Sequence, residues 1–158
     1  FFLNYKDCLL KNDDKLRKQI ALIIKKVKPE IIFSFDPANR SFESVNLLHR
    51  DHRVISEAVF DAVFAARNRY LIPGKPFAVK TFWFFGCNKP NHYENITKYI
   101  NDKIKLISAH RSQFSEHESM SEWVKTHLSS YTGKYKYSEK FRIVTITQPF
   151  VKEGIGTV

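Results

Sequence analysis

The sequence predicts an α/β fold with a mainly parallel sheet flanked by helices, and three observations carry that prediction. The run Ile31-Ile32-Phe33-Ser34-Phe35 is apolar at nearly every position and bounded by Pro29 and Pro37, as in a parallel strand covered on both faces. Ahead of it, Leu16, Ile20, Ile23, Ile24 and Val27 recur at helical spacing. Behind it, Val54, Ile55, Ala58, Val59, Ala62, Val63 and Ala66 make a wide apolar helix face suited to packing on a sheet.

In chain order, Phe1 to Tyr5 is short and rich in aromatics and reads as a buried strand, with Lys6-Asp7-Cys8 as the turn after it. Asn12 or Asp13 is placed to cap the first helix, which Pro29 ends. Strand, helix and strand within about 35 residues form a βαβ unit, whose crossover should be right-handed. A loop of about a dozen residues, Asp36 to Leu48, follows. Loops of that length usually carry function, and this one leaves the C-terminal end of a parallel strand, where open α/β sheets place their ligands.

The next helix spans about Asp51 to Arg67, and Pro73-Gly74-Lys75-Pro76 is a hard break. Phe77 to Gly86 reads as another core strand. Asn95 is placed to cap a helix carrying Ile96, Ile100, Ile104 and Ile107 and continuing through Ala109-His110-Arg111-Ser112-Gln113. A further helix, about Glu118 to Leu128, turns Met120, Trp123, Val124 and Leu128 inward. Tyr131 to Lys136 is a loop, and Phe141 to Phe150 a last strand, placed at the sheet edge.

Bulk properties bound the function. A chain of 158 residues, 43% hydrophobic, suits one core and hence a single domain over 1–158. No run of about 18 apolar residues occurs, so no transmembrane helix is expected. Cys8 and Cys87 match no metal-ligand pattern and read as buried free thiols in a reducing, cytoplasmic compartment. The net charge of +10 would attract phosphates, but the lysines are scattered singly or in pairs. A solvated lysine-rich surface is therefore preferred over a nucleic-acid face, and a basic nucleic-acid or glycan-binding module is the alternative function. The opening Phe1-Phe2-Leu3-Asn4-Tyr5 carries no signal-peptide pattern and reads as the later part of a larger protein.

The chemistry concentrates in Leu48-His49-Arg50-Asp51-His52-Arg53. Positions i and i+3 share a face on the first turn of a helix, so both imidazoles can face one cleft. One could ligate a metal while the other polarises a bound substrate. A zinc hydrolase supplies three protein ligands and leaves the fourth position to a water whose pKa falls toward about 7. A carboxylate then takes the proton, and a hydrogen-bonding or cationic group steadies the oxyanion. Asp51, and Asp36 at the strand end, fit that setting.

The stretch Pro29-Glu30-Ile31-Ile32-Phe33-Ser34-Phe35-Asp36-Pro37, then His49-Arg50-Asp51-His52-Arg53 and the helix after it, resembles the LmbE-like (PIG-L) zinc-dependent N-acetylglucosamine deacetylases. Their second motif is usually His-Pro-Asp-His; Arg50 stands in place of the proline. Phe2-Leu3-Asn4-Tyr5-Lys6-Asp7 is similar to a family strand ending in an aromatic and an aspartate. Asn95-Ile96-Thr97, Ala109-His110-Arg111-Ser112-Gln113 and Glu139-Lys140-Phe141-Arg142 match later elements, so nearly the whole chain is covered.

The resemblance implies a Rossmann-like domain and one zinc ion. His52 would be a zinc ligand, and His49 would stabilise the oxyanion as acetate leaves the sugar nitrogen. Asp51 would orient a histidine, and Asp7 would sit near sugar hydroxyls. His110 and Gln113 are read equally as functional or as helix packing, and His92, His117 and His127 as surface residues. The family's first motif, Ala-His-Pro-Asp-Asp-Glu, supplies two ligands and the aspartate base, and residues 1–158 do not contain it. Asp13-Asp14 opens a helix and cannot replace it. The expectation is a domain seen without its N-terminal βα units; an inactive family fragment acting as an interaction partner is the further alternative. The substrate is expected to be an N-acetylglucosamine-containing small molecule or glycoconjugate, with homo-oligomerisation left open.

Overall fold

The computed structural model describes residues 1–40, 49–112, 117–129 and 133–146. Helix α1, Asp14–Val27, forms where its spacing predicts. Asp13 caps it, its carboxylate accepting from the Leu16 amide at 2.9 Å. Lys28, at φ 55°, closes the other end by donating its backbone N–H to the Ile24 carbonyl. Strand β1, Ile31–Phe35, pairs in parallel with β2, Thr81–Phe85, from Ile31↔Thr81 to Phe35↔Phe85. Helix α2, Arg50–Ala66, buries Ala58, Ala62, Val63 and Ala66 together with Leu16, Ile20, Phe82 and Phe84. Phe60 of α2 stacks on Phe82 with ring centroids 5.4 Å apart.

The sheet is mixed. Strand β4, Ser138–Thr145, runs antiparallel to β2 through residues 142–145 and antiparallel to β3, His92–Asn95, through residues 138–141. The strand order is β1-β2-β4-β3. The chain divides into two compact units, one of Phe1–Lys89 with the strand residues from Arg142 onward, the other Pro90–Phe141. The second has its own core, Ile96, Ile100, Met120 and Val124, between α3, Ile100–Ser108, and α4, His117–His127. Among the described residues, no helix is long and apolar enough to cross a membrane.

Several expectations are corrected. Phe1 to Tyr5 is not a strand: Asn4 takes a left-handed φ of 55°, which breaks an extended run, and Phe2 is 96% exposed. β1 is parallel, but among the described residues core packing reaches Ile32 and Ser34 and leaves Ile31 and Phe33 largely exposed, so only one face is covered. Phe77 to Gly86 shortens to β2. Asn95 ends β3, a strand that four polar-rich residues did not announce, and its side chain accepts from the Thr97 amide. A 3-10 turn, Thr97–Tyr99, precedes α3, which stops at Ser108. Trp123 is half-exposed and stacks on His127, four residues along α4. β4 begins earlier than expected and lies inside the sheet because both its edges pair; residues 147–150 of the expected strand lie outside the described residues. Cys8 is exposed, whereas Cys87 is buried.

Candidate active site

The site is built on the first turn of α2 and the end of β1. His49 is the N-cap of α2, and its Nδ1 accepts from the Asp51 backbone N–H at 3.2 Å. A histidine cap needs an unprotonated Nδ1, so the neutral ring carries its proton on Nε2. That Nε2–H points at Cys8 Sγ, 3.3 Å away, and the thiol in turn donates to Asp7 Oδ2 at 3.7 Å. His49 is therefore fixed as a donor toward the cleft.

Cys8 itself is bent into the left-handed region at φ 61°, a costly conformation for a residue with a Cβ. The histidine motif holds it there. Asp51 Oδ2 accepts the Cys8 amide at 2.7 Å, and Arg50 Nη1 donates to the carbonyls of Cys8 at 3.1 Å and Leu10 at 2.6 Å. Arg50, the departure from the usual proline, thus fastens the segment bearing Asp7. The Asp51 carboxylate secures this segment, while its main-chain N–H orients His49. The thiol of Cys8 is pushed up by desolvation first, then by the neighbouring Asp7 carboxylate.

His52 lies one turn on. Its ring centroid is 5.3 Å from that of His49, so the two imidazoles do share a face. It stacks on Phe35 at 3.9 Å with only 15° between the planes. Its pKa is lowered from the ordinary 6.5, by partial burial first and then by His49, against an opposing pull from Asp51 and Asp7. No hydrogen bond from the described residues reaches its nitrogens, and the lowered pKa favours the neutral ring. Asp36 closes the end of β1: buried, it takes two hydrogen bonds from Arg142 of β4, one of them Nε to Oδ2 at 2.7 Å, and accepts the Ala38 amide at 2.8 Å.

All four expected site residues, Asp7, His49, Asp51 and His52, therefore lie in the first unit. Asp7, Cys8 and His49 bring three donor atoms within 4.8 Å of one another and could hold a metal by distance alone. The capped Nδ1 argues against His49 as a ligand there, because binding through Nε2 would displace its proton and break the cap. Neutral His52 is the better donor for a divalent ion. Sequence reasoning missed Cys8, Arg50 as a clamp, and Phe35; only Cys8, next to Asp7, carried a chemical signal. His110 is exposed and belongs to the second unit, and Gln113 lies outside the described residues. Asp13 and Asp14 are occupied by the cap and by Arg17.

The chain is similar to known proteins along most of its length. Residues 1–63 match the family model described as PIG-L, GlcNAc-PI de-N-acetylase. Over 153 residues the chain is 31% identical to the diacetylchitobiose deacetylase of Thermococcus kodakarensis, covering 90% of this chain and 55% of that protein. The N,N'-diacetylchitobiose deacetylase of Pyrococcus horikoshii superposes with a TM-score of 0.80 at 27% identity, over 96% of this chain and 60% of that one. The chain thus spans somewhat more than half the length of these relatives. A conserved protein of Thermus thermophilus shares the fold with a TM-score of 0.73 at 23% identity, over 93% of this chain and 66% of that one. The 4-carboxy-2-hydroxymuconate hydratase of Pseudomonas putida shares it at 0.71 and 16%, over 99% of this chain and 68% of that one.

Proposed function

We propose, for a chain that belongs to the LmbE-like (PIG-L) family, that the intact protein is a zinc-dependent hydrolase removing the acetyl group from an N-acetylglucosamine-containing substrate, with residues 1–158 forming part of one deacetylase domain. The observation that carries this reading is the division of labour between two adjacent rings: His49 held as an Nε2–H donor by its own cap, and beside it His52, whose lowered pKa favours the neutral ring. The names of the relatives at 31% and 27% identity support a diacetylchitobiose-like sugar as the first substrate to try.

His52 would hold the zinc. The remaining ligands and the aspartate base are to be sought in the family's Ala-His-Pro-Asp-Asp-Glu motif, which residues 1–158 do not contain. When bound, the ion polarises the amide carbonyl and lowers the pKa of a water. His49 Nε2–H, which now reaches Cys8 Sγ, exchanges the sulfur for the substrate oxygen and stabilises the charge that develops there. Asp51 keeps His49 in the donor tautomer through its N–H and keeps the Asp7 segment in place through its carboxylate. Asp7, exposed beside that cleft, accepts from sugar hydroxyls. The thiol character of Cys8 and Cys87 supports a reducing, cytoplasmic setting.

The test is metal analysis of full-length protein together with acetate release from N,N'-diacetylchitobiose. Zinc near one equivalent and stoichiometric acetate are expected; a metal-free protein that releases no acetate from any N-acetylglucosamine derivative would overturn the assignment.

A further inference from the structure

Resting on the reading of His52 as a ligand, we infer that Phe35 is a positioning residue for the metal site: a rigid aromatic plate that sets the plane of the His52 imidazole. The two rings lie 3.9 Å apart and 15° from parallel, which is close, flat contact. Phe35 is itself braced. Phe85 meets it edge-on at 4.5 Å and 61°. The backbone after it is pinned on two sides, by the Asp36 N–H to the Phe85 carbonyl at 3.1 Å and by the Arg142 guanidinium on the Asp36 carboxylate.

Other metal-site histidines are usually oriented by a hydrogen bond from their second nitrogen. Among the described residues His52 receives none, and the flat contact they do give it is the stack on Phe35. A ligand ring whose plane is set before the ion arrives loses less conformational freedom on binding. The plate is carried by a strand whose end is tied to β4, a placement that does not depend on an ion.

The experiment is a Co²⁺ titration of metal-depleted full-length protein, read from the visible absorption of the bound ion. Phe35→Leu, which keeps apolar volume but loses the flat face, should weaken Co²⁺ binding by about 10-fold. Phe35→Tyr, which keeps the ring, should bind as the wild type does. Should circular dichroism show Phe35→Leu unfolded, Phe35→Met takes its place with the same expected loss. Wild-type affinity in the folded Leu or Met variant overturns the role of Phe35, as does equal weakening in Phe35→Tyr. His52→Ala separates the two ideas: unchanged Co²⁺ binding there overturns the ligand assignment itself, whereas loss there with no change at Phe35 overturns this inference alone.

Discussion

The two ends of α2 use one device in two solvents. Past its C-terminal end, the segment 68–74 is gathered onto the buried ammonium of Lys25, which donates to the carbonyls of Ile72 at 2.5 Å and Gly74 at 3.2 Å, with those of Asn68 and Pro73 at 3.4 Å. At its N-terminal end, the segment 8–10 is gathered onto Arg50, a cation whose side chain is 46% exposed. Water competes for the second and not for the first. Hydrogen bonds to a buried charge are strong and leave unsatisfied carbonyls if broken, whereas an exposed clamp holds geometry at small energetic gain. The chain thus places its firm lock past the C-terminal end of α2 and its looser clamp at the end proposed to admit a ligand.

This contrast can be broken by substitution. The largest effects should come at the open end, in function and not in stability. His52→Ala should lower zinc affinity by more than about 100-fold, measured by competition with a chelator, since it removes a ligand where removing a supporting group already costs about 10- to 100-fold. His49→Ala should retain its zinc and lose about 100-fold in kcat, the scale of one lost oxyanion donor; a drop in zinc content instead would make His49 the ligand. At the firm end, Lys25→Met should cost about 2 kcal/mol in urea unfolding while leaving zinc affinity unchanged. Arg50→Pro should change stability by less than about 1 kcal/mol, since the first helical position tolerates proline. A larger loss would show the exposed clamp to be as strong as the buried one.

The smallest effect is on pH dependence. His52 has a folded pKa below its unfolded 6.5, so the unfolded chain takes up the proton first as pH falls. The stability tied to its neutral form is complete above that unfolded value and is lost as pH falls through the folded one. Between about pH 7.5 and about pH 5, metal-free wild-type protein should therefore lose more unfolding free energy than His52→Gln. Equal losses would mean that His52 is not desolvated as described.

Much of this was legible from residue order. The spacing of Leu16, Ile20 and Ile24 defined α1, Asp13 its cap, and the His49–His52 interval the shared face of α2, because these are consequences of 3.6 residues per turn. The strand at Ile31 to Phe35 formed as expected, and the departures, its one-sided coverage and the missing strand at Phe1 to Tyr5, have an equally local cause. Ile31 to Phe35 has the composition of a strand buried on both faces, yet composition does not say which edge of a strand is paired or which face is covered. Phe1 to Tyr5 had the residues of a strand but a left-handed Asn4 within it.

Residue order alone specified the helices, the α/β class and the pair of imidazoles on one face, since each follows from periodicity within a dozen neighbouring residues. The family resemblance implied which histidine donates and which ligates; the contacts that suit each ring to its proposed role emerged only in three dimensions. They are an amide bonded to one ring, a phenyl plate against the other, and a guanidinium from residue 142 bonded to residue 36, none of which local spacing encodes.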